Sequence, residues 1–293
     1  MHKAGFVNIV GNPNVGKSTL MNLLVGERIS IATFKAQTTR HRIMGILNTP
    51  EMQICFSDTP GVLKPNYKLQ EQMLQFSESA LQDADVLLYV TDMVEKPDKN
   101  ADFIAKVQKM TVPVLVLINK IDLSDQKSLE QKVEEWHQVF PRAEICPISA
   151  LHKFNVDNVL ARIKELLPES PAYFDKDQWM DKPARFFVSE IVREKILLYY
   201  DKEIPYSTEV VVEEFKETER NIRIRTVVYV ERESQKGILI GHGGVALKRM
   251  GSEARKTLEK FFGKSIYLDV YVKVDKDWRQ SEKAMRSYGY KLD

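Results

Sequence analysis

Short apolar runs alternate with amphipathic stretches along the first part of the chain. Runs such as residues 6–10, 86–90 and 112–118 are bounded by turn residues, and they predict buried strands. The stretches between them repeat apolar residues at helical spacing and predict helices. Strands that alternate with helices indicate an α/β domain with a mostly parallel sheet and helices on both faces. We place this domain at residues 1–167.

The pattern changes after residue 167. Residues 168–184 contain three prolines and several charges without an apolar period, and we interpret them as a linker. Beyond them the apolar positions predict a helix, two strands, two helices on either side of residues 241–244, and a strand. This α-β-β-α-α-β order predicts an α+β domain over residues 185–293, with a closing helix at 278–288.

Length, charge and cysteine content agree with two domains and indicate which of them carries the basic residues. A chain of 293 residues suits two domains. Residues 1–182 carry a net charge of −2 and residues 183–293 a net charge of +4, so the basic excess lies in the second domain. Cys55 and Cys146 lie in separate apolar runs without metal-ligand spacing, and neither a secretory segment nor a spanning stretch is expected. We expect a cytoplasmic protein, and leave peripheral contact with the inner face of the membrane open.

The first motif with recognisable chemistry is G-N-P-N-V-G-K-S, between the first strand and the first helix. Its glycines let the backbone curl so that successive N–H groups face a phosphate, Lys17 adds a positive charge, and Ser18 can ligate magnesium. A glycine turn without a ligand is the alternative. The predicted phosphate-binding loop consists of Gly11, Asn12, Pro13, Asn14, Val15, Gly16, Lys17, Ser18 and Thr19.

Two later segments predict the rest of a magnesium site. Residues 27–41 have no clean period, as expected of a segment that orders around a γ-phosphate, and we favour Thr39 over Thr38 as a magnesium ligand. Two solvated loop threonines are the alternative. The third strand leads into D-T-P-G, so that Asp58 can reach the magnesium through water and the Gly61 N–H can touch the γ-phosphate. This motif consists of Asp58, Thr59, Pro60 and Gly61.

A third motif, N-K-I-D, follows the strand predicted at residues 112–118. The Asp122 carboxylate can accept two hydrogen bonds, which matches the ring N–H and the exocyclic amine of guanine but no such pair of donors on adenine. After the last strand of the domain, the Ala150 N–H can reach the guanine oxygen. The predicted base contacts are Asn119, Lys120, Asp122, Ser149, Ala150 and Leu151.

The second domain carries G-H-G-G between two predicted helices. With the α-β-β-α-α-β order, this motif looks like a KH domain, in which a G-x-x-G loop clamps single-stranded nucleic acid by its backbone. Basic residues around the loop would attract the phosphates, and a glycine kink in a solvated helix pair is the alternative. The predicted RNA contacts are Gly241, His242, Gly243, Gly244, Lys236, Lys248, Arg249, Arg255, Lys256 and Lys260.

Together with these motifs, residues 35–42, 189–195 and 204–207 resemble the Era family of bacterial GTPases over essentially the whole chain. The resemblance implies a GTPase domain followed by a type II KH domain. It also implies slow hydrolysis of GTP, binding to the 3′ end of small-subunit ribosomal RNA, and a role in maturation of the small ribosomal subunit. By similarity, phosphates and magnesium are held by Lys17, Ser18, Thr39 and Asp58.

This sequence departs from the family or from other GTPases at two positions. Members of the family usually carry a basic residue where this chain has Gly243, and the effect of this glycine on the phosphate contact stays open. Val62 stands where many signalling GTPases carry the glutamine that orients the attacking water, and valine has no amide for this role.

Another group must therefore stabilise the charge that develops during hydrolysis. Asn14 lies where GTPases similar to this one hold a potassium ion against the phosphates, and the alternative is that it only supports the turn. The expected cofactors are Mg²⁺ and K⁺. The candidate catalytic residues are Asn14, Lys17, Thr39, Asp58 and Gly61.

Two other functions stay open at this point. The chain could be a passive RNA-binding module whose nucleotide stiffens the fold, or a tRNA-modifying GTPase of the same superfamily. The second would need a modification domain, which no stretch of the sequence resembles. The expected partners are GTP, GDP, small-subunit ribosomal RNA and the small ribosomal subunit, and we expect a monomer.

Overall fold

The computed structural model describes residues 2–290 and divides into two compact units. The first unit contains the residues up to Asn66 together with Gln70–Asp181, and the second contains Tyr67–Leu69 and the residues from Lys182 onward. The first unit has the succession of strands and helices that its apolar pattern predicts, and the second unit differs from its prediction at two places described below.

Strands and helices alternate along the first part of the chain. The strands are β1 Lys3–Gly11, β2 Ile43–Asn48, β3 Met52–Asp58, β4 Val86–Asp92, β5 Val114–Asn119 and β6 Glu144–Pro147. The helices are α1 Lys17–Val25, α2 Lys68–Ser79, α3 Ala101–Gln108, α4 Gln126–Val139 and α5 Val156–Leu166.

The strands of the first unit form a sheet in the order β2-β3-β1-β4-β5-β6. All neighbours are parallel except β2 and β3, which are antiparallel. Every residue of β4 is buried, as expected of a central parallel strand that is covered on both faces. On one face Tyr89 packs against Trp136 and Phe140, and all three side chains are buried. The carboxyl ends of the parallel strands lie at a common edge, where α/β sheets place their ligands.

The segment that we interpret as a linker contacts the first unit through its backbone. Ile46 N–H donates to Trp179 O at 2.9 Å, and Met180 pairs antiparallel with Gly45. These bonds cover part of β2, the edge strand that follows residues 27–41. Edge strands expose backbone groups that can pair with further chain, and here the segment itself makes that pairing.

A short sheet packed against helices forms the second unit. Its strands are β7 Glu209–Glu217, β8 Asn221–Val230 and β9 Ser265–Val274. Its helices are α6 Ala184–Tyr199, α7 Ile204–Ser207, α8 Glu233–Ile240, α9 Val245–Phe262 and α10 Glu282–Ser287. β7 and β8 are antiparallel, whereas β8 and β9 are parallel. Every second residue of β8 is buried, as expected of a strand with one face against a core; these residues are Ile222, Ile224, Thr226, Val228 and Val230.

Some element boundaries differ from the sequence prediction. The closing helix predicted at 278–288 is instead a 3₁₀ turn, Trp278–Gln280, followed by α10. The break lies at Ser281, whose side chain caps α10 by accepting from Ala284 N–H at 3.2 Å. The one-turn helix α7 was not predicted; it begins at Ile204 and has Pro205 in its first turn, where proline is well tolerated. Among residues 2–290, no helix is both long and apolar enough to span a membrane.

Candidate functional site

Five parallel strands end at the edge of the sheet where most of the residues predicted to bind the nucleotide lie. The phosphate loop follows β1, Asp58 ends β3, Asp92 ends β4, Asn119 ends β5, and Ser149 follows β6. Because these strands are parallel, their carboxyl ends bring residues from distant parts of the sequence to one edge.

Packing and backbone geometry both require glycine in the phosphate loop. Gly11 and Gly16 have φ values of +146° and +98°. A Cβ on Gly11 would lie 2.1 Å from Val90 O, and one on Gly16 would lie 2.2 Å from Asn119 Nδ2. The loop therefore packs directly on the ends of β4 and β5. Asn14 also has positive φ, +65°, a conformation that asparagine tolerates better than most residues.

Lys17 is buried beneath this loop. Its Nζ donates to Gly11 O at 3.0 Å and to Asn12 O at 2.8 Å. Burial lowers the pKa of Lys17 from its ordinary 10.5 to about 8, and the carboxylates of Asp58 and Glu95 partly oppose this shift. A buried ammonium with partial charge compensation is suited to bind a further anion such as a phosphate.

The three predicted magnesium ligands lie within hydrogen-bond distance of one another. Asp58 Oδ2 accepts from Ser18 Oγ at 2.6 Å and from Thr39 Oγ1 at 3.3 Å, and the two hydroxyl oxygens are 2.9 Å apart. Thr38 instead donates to Lys35 O at 2.6 Å, so Thr39 is the threonine that faces Asp58.

The chemistry of this cluster fits a hard cation. Within the described chain, Asp58 Oδ1 is buried without a hydrogen-bond partner, which leaves one oxygen of the carboxylate available. Burial raises the pKa of Asp58, against the opposing effect of Lys17. A cation near these oxygens would favour the charged carboxylate, and hydroxyl and carboxylate oxygens are the ligands that Mg²⁺ prefers.

The segment after Asp58 is held against the phosphate loop. A Cβ on Gly61 would lie 2.7 Å from Pro13, and Val62 N–H donates to Gly11 O at 3.0 Å. The Val62 side chain is buried in the hydrophobic core of the unit. The position that carries glutamine in many signalling GTPases thus contributes to packing here.

The residues predicted to bind guanine support one another. Asn119 Nδ2 donates to Val15 O at 2.8 Å, and Asn119 Oδ1 accepts from Ala150 N–H at 2.9 Å. Asp122 Oδ1 accepts from Ser149 Oγ at 2.5 Å. Leu151 is 75% exposed, so it is accessible to a bound base.

Sequence reasoning missed Asp92, which connects two of these motifs. Lys120 Nζ donates to Asp92 Oδ2 at 2.7 Å and to Asn14 O at 2.6 Å. The lysine of the third motif therefore bonds to the phosphate loop. Asp92 could have been found as the acidic residue at the carboxyl end of the strand predicted at 86–90.

Asn22 is a second missed residue, at the start of the segment that contains Thr39. Its Oδ1 accepts from Ile29 N–H and Ser30 N–H, both at 2.9 Å, and its Nδ2 donates to Ser30 O at 2.8 Å. No sequence pattern identifies this role, because an asparagine inside a helix has no fixed partner in the following loop.

In the second unit, the G-H-G-G motif forms an open turn between α8 and α9. Gly241, Gly243 and Gly244 have φ values of +71°, +56° and +79°. A Cβ on Gly241 would lie 2.7 Å from Ala246 Cβ, whereas a Cβ on Gly243 or Gly244 would have no described heavy atom within 4 Å apart from the adjoining residues. The second half of the loop thus has space for another chain to approach its backbone.

The predicted basic contacts lie at different distances from this turn. Lys248 and Arg249 lie in the first turns of α9, and Arg249 stacks on Tyr199 with its guanidinium 5.0 Å from the ring centroid. At 1.5 Å per residue, Arg255 is about 16 Å along the helix from Gly244. Lys236 lies on α8, half-buried and 3.9 Å from Glu233. A strand of nucleic acid would need several nucleotides to reach the whole stripe formed by Lys248, Arg249, Arg255, Lys256 and Lys260.

Both units match known protein families. Residues 6–120 match the family of 50S ribosome-binding GTPases, and residues 203–279 match the KH domain family. The chain is 42% identical over 291 residues to the GTPase Era of Staphylococcus haemolyticus, covering 99% of this chain and 97% of that protein. It is also 42% identical over 294 residues to the GTPase Era of Staphylococcus epidermidis, covering 100% and 98%.

Two solved structures resemble the whole chain. A single-residue variant of Aquifex aeolicus Era bound to GDP.AlF4− has a TM-score of 0.94 and 39% identity, covering 99% of this chain and 100% of that one. A structure of Era in complex with MgGDPNP and nucleotides 1506–1542 of 16S ribosomal RNA has a TM-score of 0.95 and 39% identity, covering 100% of both chains.

Proposed function

The chain belongs to the Era family of GTPases, and on that premise we propose that it is a GTP-driven switch that binds small-subunit ribosomal RNA. The observation that carries the proposal is the cluster of Ser18, Thr39 and Asp58 beside the buried Lys17. The RNA part is supported by the related structure that holds both a GTP analogue and 16S ribosomal RNA. In this role the protein assists maturation of the small ribosomal subunit.

The first unit binds GTP through three sets of groups. Lys17 and the N–H groups of the phosphate loop bind the outer phosphates, and Asp122 accepts the two guanine donors. Ser18, Thr39 and Asp58 hold Mg²⁺, which neutralises charge that develops between the β- and γ-phosphates. The Gly61 backbone packs closely against Pro13 of the phosphate loop, and its N–H donates to the γ-phosphate.

The second unit binds the RNA backbone at the glycine turn. Phosphates approach Gly243 and Gly244, where the structure leaves space, and the basic stripe of α9 binds the following nucleotides. The protein acts as a monomer in the cytoplasm, and the function does not require the membrane contact that the sequence leaves open.

We further propose that a potassium ion supplies the charge that Val62 cannot, with Asn14 as its anchor. Asn14 is exposed in the phosphate loop, so its side chain is accessible to an ion bound beside the phosphates. GTP hydrolysis should then be faster in potassium than in sodium at equal ionic strength. Asn14→Ala should lose most of this difference and still bind nucleotide. Identical rates in the two salts for the unmodified protein would contradict the potassium proposal.

Multiple-turnover hydrolysis of GTP, with and without an RNA fragment from the 3′ end of 16S ribosomal RNA, tests the proposed function. We expect slow turnover by the protein alone and faster turnover with RNA. Absence of turnover in both cases would leave only the passive RNA-binding module, and turnover without RNA binding would overturn the second half of the proposal. A fragment with the reversed sequence controls for nonspecific electrostatic binding.

A further inference from the structure

The Asn100 side chain joins two parts of the nucleotide site that the sequence keeps far apart. Its Nδ2 donates to Asn12 Oδ1 at 2.5 Å and to Val62 O at 3.1 Å. Asn12 belongs to the phosphate loop, and Val62 directly follows Gly61. One amide nitrogen has two hydrogens, so both are used in bridging these two acceptors.

Asn100 makes this bridge although it stands at a position where asparagine usually does something else. It is the residue before α3, where an asparagine side chain commonly accepts from the first N–H groups of the helix. In the described chain it makes no such capping bond. The helix end thus lacks a side-chain cap, and the amide is directed to the phosphate loop instead.

A buried carboxylate fixes the other side of the Asn12 amide. Asn12 Nδ2 donates to Glu95 Oε2 at 2.5 Å, and Glu95 Oε1 accepts from Lys99 Nζ at 2.8 Å. The Glu95 N–H in turn donates to Asp92 Oδ1 at 3.1 Å. Since Asn12 accepts on one side and donates on the other, its amide has a single favourable orientation.

The bridge restrains the residue that positions Gly61. Both polar groups of the Val62 backbone are bonded, the N–H to Gly11 O and the C=O to Asn100, and its side chain is buried. Gly61 therefore lies between a fixed Val62 and the ring of Pro13. Loss of the Asn100 bond would free the Val62 carbonyl and loosen the N–H of Gly61, where charge on the γ-phosphate develops during hydrolysis.

We propose that Asn100 is a positioning residue for GTP hydrolysis, which acts by tying Asn12 of the phosphate loop to Val62 and so fixing the Gly61 N–H. This inference rests on the proposed function as a GTPase. The bridge made by Asn100 should affect GTP hydrolysis and not GDP binding, because GDP has no γ-phosphate for Gly61 to contact.

The test compares Asn100→Ala and the nearly isosteric Asn100→Asp with the unmodified full-length protein. Both variants should lower kcat about three- to tenfold, the effect of one hydrogen bond of ordinary net strength. Affinity for GDP should stay within about twofold, since neither lost bond is made to a guanine-binding residue or to Lys17 itself. Asn158→Ala, which removes an exposed asparagine from α5, is the matched control and should leave kcat unchanged.

A double-mutant cycle with Asn12→Ala separates positioning from general loss of stability. If Asn100 acts through Asn12, the double variant should lose little more kcat than the more impaired single variant. The inference would be overturned if the kcat losses of the two single variants multiplied in the double variant. It would also be overturned if kcat were unchanged in both Asn100 variants. If the unmodified protein shows no turnover, the result contradicts the proposed function and not the role of Asn100. Thermal unfolding measurements identify a variant whose kcat falls only because the protein is unstable.

Discussion

At the nucleotide site, polar side chains from five strand ends are buried and bonded to one another. At the glycine turn of the second unit, the basic side chains project from neighbouring helices and most are exposed. Removing one partner at the first site leaves a buried group unpaired, whereas removing one charge at the second loses one of several screened contacts. We therefore expect large, specific effects at the nucleotide site and smaller, salt-dependent effects at the RNA site.

The largest expected effect is at Asp122. Asp122→Asn removes the carboxylate that accepts both guanine donors, and GTP affinity should fall by about two to three orders of magnitude, the loss of charged hydrogen bonds. The new amide can pair with xanthine, so XTP should bind better than GTP. Competition titrations measure this preference, and an unchanged preference for GTP would exclude Asp122 from the base site.

The next effect is at the glycine turn. Gly244→Asp places a carboxylate where a phosphate should pass, and RNA affinity should fall at least tenfold, to judge from like charges in close contact. Gly244→Asn is the matched control, because asparagine has the same size and similar tolerance for positive φ but no charge. RNA binding should fall clearly more in the aspartate variant, with GTP affinity unchanged in both. Equal losses would assign the effect to the backbone.

A smaller effect is expected for a single charge of the stripe. Lys248→Ala should weaken RNA binding about three- to tenfold and reduce the slope of log affinity against log salt by about one. Anisotropy titrations at several salt concentrations give both values. The same substitution should not change GTP affinity. A slope equal to that of the unmodified protein would place Lys248 outside the RNA contact.

The smallest effect concerns pH at the nucleotide site. Lys17 has a pKa of about 8 in the nucleotide-free protein, and bound phosphates should raise it by favouring the charged form. Nucleotide binding should therefore take up protons, and affinity should fall about threefold between pH 7.5 and 8.5. Calorimetry in buffers of different ionisation enthalpy measures the uptake; no uptake at pH 8 would contradict the shift.

The lowered pKa of Lys17 also affects the free energy of unfolding, which rises with pH whereas nucleotide affinity falls. The unfolded chain keeps the ordinary pKa of 10.5, so it binds more protons than the folded protein between pH 8 and 10.5. Over that range Lys17 makes the free energy of unfolding of the nucleotide-free protein rise with pH. Saturating GDP should remove this contribution.

What could be predicted from the sequence depended on local pattern. The alternation of strands and helices, and the spacing of the loop from Gly11 to Ser18, are local, and the parallel sheet then implies that the strand ends meet. Asp92 could have been recognised as the carboxylate at a strand end, but its bond to Lys120 could not. The role of Asn100 could not be predicted either, because its partners Asn12 and Val62 lie far away in the sequence. The pairing of Met180 with Gly45 was also hidden, since backbone bridges require no particular side chains.

The proposed switch requires that the nucleotide bound to the first unit controls RNA binding by the second. The most direct test measures the affinity of the full chain for the 3′ RNA fragment when loaded with Mg²⁺ and GDPNP, and again when loaded with GDP. We predict tighter binding with GDPNP by about 5- to 150-fold, the usual range of coupling between two sites, and an equal gain in GDPNP affinity when RNA is bound. Equal RNA affinity in the two nucleotide states would contradict the proposed switch.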